Sequence, residues 1–211
     1  MEGHSIFQRT DLLIQNLIEI SDHPLYDDSS RITASADFCI LALEHAESVR
    51  NLAEKSLYAS GIALMRVQFE TLVRSIWTLY CASEEDLQRI TDEPNSATQH
   101  AQAKIPMAHD MLAALGKKPQ ASAPFNALSE FKEHSWKPLN SYVHAGIHPL
   151  ARHRGGYPIH FIEQLIKISN GLVVITVMQM CVLTGNGELQ KQISPLHTRF
   201  ADCLPDHRNS V

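Results

Sequence analysis

Three charged residues spaced by four, Arg66, Glu70 and Arg74, interrupt the otherwise apolar run RVQFETLVRSIW over residues 66–77. Side chains four apart share one helix face, so a helix here lines up a plus–minus–plus stripe. Facing water, each ion pair in such a stripe contributes only about 0.3 kcal/mol. Partly buried, the same stripe needs partners that offset its desolvation. Two readings follow. The stripe is an internal ion network that fixes helix register, or it is one wall of a polar site. In the second reading Glu70 orients two guanidinium forks, whose shape suits phosphate or carboxylate.

A second stretch, HSWKPLNSYVHAGIHPLARHRGGYPIH over residues 134–160, holds five of the twelve histidines together with Lys137, Arg152 and Arg154, and no carboxylate. It is a cationic segment in an acidic chain and would attract an anion. Asn140, His144 and His148 are spaced by four and share a face if a short helix reaches that far. Two histidines at that spacing can bind a metal. No carboxylate or cysteine nearby completes such a site, and Gly146 and Pro149 mark a helix end. An imidazole titrates near neutral pH, so His144 suits a general acid or base, or a phosphate contact. Lys137, Asn140, Tyr142 and His148 are the candidate binding residues around it. The alternative is a set of loop histidines, one of them hydrogen-bonded inside the fold.

The elements that must position these groups read as helices. Leu13, Leu17 and Ile20 form one face near the start, and SDHPLYDDSS (21–30) breaks the pattern. A long helix is expected from about Arg31 to Ser56, with a seam of Ile32, Ala36, Cys39, Leu43 and Ala46. After a break near Tyr58 to Gly61, the helix carrying the stripe runs from about Ile62 to Cys81. Ser83 and Asp86 form a capping arrangement for a short helix. TDEPNSATQH (91–100) is a loop, and IPMAHDMLAALG is a helix closed by Gly116. FNALSEFKEHSW is helical, and Pro138 opens a fresh short helix that ends near Gly146 or Pro149. RHRGGYP is a loop. A last long helix runs from about Pro158 to Thr184 with Gly185 after it, on a seam of Phe161, Leu165, Ile168, Leu172 and Ile175. A shorter one spans about Glu188 to Cys203. The β-branched run GLVVITV lies inside a longer helical repeat, so tertiary context overrides its propensity. The expected fold is all-α: one domain over residues 1–205, a bundle of about four or five long helices with short accessory ones, and a frayed tail at 206–211.

Composition narrows the function. With 211 residues, 44% hydrophobic and 19% charged, the chain is an ordinary globular protein with a sizeable core. A net charge of −5 leaves no global basic field for nucleic acid, so any such contact needs a local patch. Cys39, Cys81, Cys181 and Cys203 are too far apart for a disulfide framework or zinc site and read as small buried hydrophobes. The start, MEGHSIFQRTDLL, lacks a signal pattern, and a cytoplasmic protein is expected. The stretch from Leu165 to Gly185 is long enough to span a membrane, but Lys167, Asn170 and Gln179 interrupt it, so a central buried helix is expected and no membrane partner. No metal or cofactor is expected.

The combination of Arg66, Phe69, Glu70 and Arg74 (R-x2-FE-x3-R) with Tyr142, His144 and Gly146 (Y-x-H-x-G) resembles a group of helical bacterial proteins known as a domain of unknown function, over about residues 35–185. More distantly the chain is similar to the HEPN superfamily, helical bundles that include metal-independent ribonucleases of toxin–antitoxin and phage-defence systems. Their signature is an arginine followed, after four to six residues, by a histidine. Here no arginine stands in that window before His144, and Lys137 occupies its outermost place. The resemblance implies an RNA-cleaving homodimer. In it His144 moves the proton, Arg66, Arg74 and Lys137 stabilise phosphate charge, and Glu70 holds the arginines. The competing expectation is a non-catalytic helical module that binds a protein partner or a small anion. A metal-dependent hydrolase lacks carboxylate ligands and ranks last.

Overall fold

The computed structural model describes residues 5–93 and 104–206. The loop expected at 91–100 and the expected tail therefore lie largely outside the described residues. Among the described residues the protein is all-α, with no strand. The helices are α1 (Ile6–Ser21), α2 (Ser30–Glu54), α3 (Tyr58–Tyr80), α4 (Glu84–Thr91), α5 (Ala108–Leu115), α6 (Ser122–Val143), α7 (Ile147–Gly155), α8 (Ile159–Leu183) and α9 (Gly187–Arg199). Short 3-10 turns precede α6 (Pro119–Ala121) and follow α9 (Ala201–Cys203).

Two helices are central. In α8, 13 of 25 residues are buried, and in α3, 12 of 23, spread around the helix rather than along one face. The α2 seam lies as its spacing predicts: Ala36, Cys39 and Ala46 are buried, with Ile32 and Leu43 half-buried beside them. By length and composition α8 is apolar enough to cross a membrane, with mean hydropathy 1.7, but 61% of that window is buried against the other helices.

Polar pins fix register inside this apolar interface. Ser35 Oγ donates to the Ser75 carbonyl (2.9 Å), Ser75 Oγ donates to the Ser35 carbonyl (2.8 Å), and Gln179 Nε2 donates to Ser35 Oγ (3.2 Å), tying α2, α3 and α8. Gln68 and Ser169 pair reciprocally across α3 and α8. A one-residue slip would leave these buried groups unpaired, at roughly 1–3 kcal/mol each.

Several boundaries differ from the sequence reading. The break before α3 falls at 55–57, not at 58–61. Ser56 takes φ 60°, and Leu57 N–H reaches the Leu52 carbonyl while Ser56 N–H reaches that of Ala53, which closes α2 in a Schellman motif. Gly61 lies inside α3, where a Cβ would sit 3.4 Å from the Val49 carbonyl, so its smallness serves close α2–α3 packing. Gly116 follows α5 but keeps helical φ of −60°. After α8, Gly185 does take φ 71°, with Tyr26 packed where a side chain would stand. The C-terminal segment expected as one helix divides into α9 and a 3-10 turn.

The largest correction concerns residues 122–155. Pro138 does not open a new helix. It lies inside α6, which runs unbroken from Ser122 to Val143. An interior proline costs about 3 kcal/mol. Trp136, Leu139 and Tyr142, packed into the core on both sides of it, each contribute roughly 1.5–3 kcal/mol by burial, which outweighs the local preference. RHRGGYP is not all loop either, because Arg152 to Gly155 form the last turn of α7 before Gly156 turns out at φ 80°.

Candidate functional site

The stripe forms, and it belongs to a clamp between α3 and α6. Arg66 Nε donates to Glu70 Oε1 at 2.8 Å along α3. Its Nη1 donates to Asn140 Oδ1 across to α6. The guanidinium carbon lies 4.3 Å from the Trp136 ring centroid, a cation–π contact on the same helix. Nε, Nη1 and one face of the Arg66 guanidinium are thereby engaged, and the side chain is only 14% exposed. One turn further along α3, Phe69 stacks on Phe131 at 4.7 Å and meets the edge of Trp136 at 5.8 Å. Arg74 shares the stripe by spacing but makes no hydrogen bond or ion pair among the described residues.

α6 answers α3 with a stripe of its own. Lys132, Trp136 and Asn140 are spaced by four and turn toward Arg66 and the groove beside it. Sequence reasoning missed Lys132 and Trp136. The repeat of four was available as a signal, but only the partner helix shows what it faces.

The second motif is a helix corner. α6 ends at Val143, with His144 at the C-cap and its N–H on the Asn140 carbonyl (3.1 Å). Ala145 takes the left-handed φ of 51°, and Gly146 N–H returns to the Ser141 carbonyl at 2.7 Å, the long bond of a Schellman motif. Ser141 Oγ then accepts from His148 N–H at 3.1 Å at the start of α7. A Cβ on Gly146 would lie 2.5 Å from that Oγ, so a larger residue here would push the hydroxyl off the His148 N–H. This corner corrects the expectation of a shared face: the turn at 144–146 separates Asn140 on α6 from His148 on α7, and His144 stands between the helices.

Tyr142 packs into the core. Burial, with the neighbouring phenol of Tyr157, pushes its hydroxyl well above the ordinary tyrosine range, so it holds its proton and is no base at neutral pH. His144, His148 and Lys137 are exposed, and no side-chain hydrogen bond orients the two imidazoles among the described residues. Arg152 is half-buried with its guanidinium 4.9 Å from the Phe161 ring, whereas His153 and Arg154 point outward in the last turn of α7, where positive charge also favours the helix end. No group of three or more His, Cys, Asp or Glu able to hold a metal ion occurs among the described residues.

The structure therefore brings Arg66, Glu70 and Asn140 into direct contact and sets His144 one turn beyond Asn140. It leaves Arg74 outside the clamp, and it places Lys137 and His148 on the surface. Residues 39–206 match a family of unknown function, DUF6988. No curated protein and no solved structure matches the chain.

Proposed function

The chain belongs to that family of unknown function, and from the chemistry of its surface we propose that it is a non-catalytic helical module that binds a phosphate-bearing ligand, RNA foremost. One observation carries this reading. Between Glu133 and Glu163 the chain has no carboxylate, and Lys137, His144, His148, His153 and Arg154 are all exposed there on the end of α6 and on α7. Elsewhere the chain is acidic, so this corner is where a polyanion would be drawn. Arg66 does not serve it. Its Nε and Nη1 already hold Glu70 and Asn140, and turning the fork toward a ligand would leave Glu70 unpaired. The arginine instead fixes α6 against α3 and so sets where the cationic corner stands.

The test is fluorescence anisotropy of a labelled single-stranded RNA in EDTA at several salt concentrations. Binding should weaken as salt rises, and Lys137→Ala with Arg154→Ala should weaken it further and flatten the salt slope, since each lost phosphate contact lowers that slope by about 1. A signal unchanged by both substitutions would remove this surface from consideration.

A second reading keeps the resemblance to HEPN ribonucleases. It is favoured by the position of His144, exposed and one turn from the residue that grips Arg66. Here His144 takes the 2′-hydroxyl proton or returns one to the leaving oxygen, and a second copy of the chain completes the site. This reading requires RNA cleavage in EDTA that is lost in His144→Ala.

A further inference from the structure

A groove of about 410 Å³ runs between α5 and α6. Leu112, Phe125 and Trp136 form its apolar wall, and His109, Lys132 and Lys137 stand around it, with Glu133 as its one carboxylate. Lys132 Nζ lies 2.9 Å from His109 Nδ1. An ammonium group has only donors, so in this contact the Lys132 ammonium donates to the imidazole nitrogen. Neither Lys132 nor Lys137 makes an ion pair among the described residues. The ammonium of Lys132 is held by an imidazole and by the Trp136 ring 5.8 Å away, both weaker partners than an anion.

Trp136 itself is already set. Arg66 stacks on the ring at 4.3 Å and Phe69 meets its edge, so the indole loses little freedom when a ligand arrives. A flat apolar wall beside two ammonium groups without an ion pair among the described residues suits a ligand with the same two parts. We propose that the α5–α6 groove binds a small planar aromatic molecule carrying one terminal anionic group, phosphate or carboxylate. The ring lies against Phe125 and Trp136, and the anion takes Lys132 and Lys137. The site shares Lys137 with the polyanion surface, but its ring wall and Lys132 lie outside that surface, so Lys132→Ala and Arg154→Ala test the two separately.

The test uses phenyl phosphate and benzoate as probes, with phenol and inorganic phosphate as partial ligands, read by calorimetry and by tryptophan fluorescence. Trp77 is buried, so a fluorescence change reports Trp136. One of the two aromatic anions should bind saturably, which identifies the preferred anion, and phenol or phosphate alone should bind at least about tenfold more weakly. Lys132→Ala should weaken binding about tenfold, the value of one charged hydrogen bond. Trp136→Phe should abolish the fluorescence change while calorimetry still detects heat. No saturable binding of either anion, or equal affinity in Lys132→Ala, overturns the site. RNA binding, measured separately with Arg154→Ala, is unaffected by either result.

Discussion

Replacing Arg66 by alanine should destabilise the protein by about 3 kcal/mol, a size derived from three losses. The Nε contact to Glu70 is a charged hydrogen bond, worth roughly 1.5–3 kcal/mol when desolvated. Glu70 is 27% exposed, so screening brings its share to the lower end. The Asn140 contact adds about 1 kcal/mol and the Trp136 contact about 0.5–1 kcal/mol. For a chain of this size that sum lowers Tm by roughly 6–12 °C. Urea unfolding of Arg66→Ala, Glu70→Ala and the double variant gives the coupling directly, and it should be about 1 kcal/mol. Arg74→Ala is the internal control. Its side chain is half-buried on the same stripe, with no hydrogen bond or ion pair among the described residues, so its cost should stay within about 1 kcal/mol. An Arg66→Ala cost no larger than that of Arg74→Ala would refute the clamp and return Arg66 to the set of groups free for a ligand.

Other outcomes follow from single features. Ala145 occupies the left-handed region, which costs an L-residue roughly 1–2 kcal/mol, so Ala145→Gly should raise Tm even after the added freedom of the unfolded chain is counted. Gly146→Ala should do the opposite, because its Cβ would strike Ser141 Oγ. Arg9 grips Asp202 with two hydrogen bonds, 2.6 and 2.8 Å, and that contact holds the Asp202 carboxyl below its ordinary value. Its stabilisation is therefore present above about pH 4 and disappears as pH falls through the lowered value. Asp202→Asn should cost about 1 kcal/mol at pH 7 by urea unfolding, and the two proteins should converge in acid. Burial pushes the Cys39 thiol up to about 12, and Cys181 and Cys203 are also buried, so a thiol reagent should modify Cys81 first in the native protein.

What could be read in advance was what depends on neighbours in sequence. The stripe on α3, the seam on α2, the capping box of Ser83 and Asp86 and the central burial of α8 all follow from spacings of three and four. What stayed hidden depends on distant partners. Asn140 is 74 positions from Arg66, and no local pattern marks it as the other jaw of the clamp. Pro138 was misleading because its local signal is strong and is overruled only by the packing of Trp136, Leu139 and Tyr142. Gly146 and Pro149 marked a helix end close to the observed one, but Ala145 carries no sign of the left-handed turn it makes, so the new direction of the chain after His144 stayed hidden. The motif Y-x-H-x-G acquires a structural meaning from that corner: a packed phenol, a C-cap and a glycine set close against the Ser141 hydroxyl. Neither this nor the clamp requires catalysis.

The most direct measurement is a labelled single-stranded RNA incubated with the intact protein in EDTA, read by anisotropy and then on a denaturing gel. Binding should be salt-sensitive and weaken in Lys137→Ala with Arg154→Ala, and the RNA should remain whole. RNA cut by the wild type and spared by His144→Ala would contradict the non-catalytic reading and establish the nuclease reading, and no binding even at low salt would contradict both.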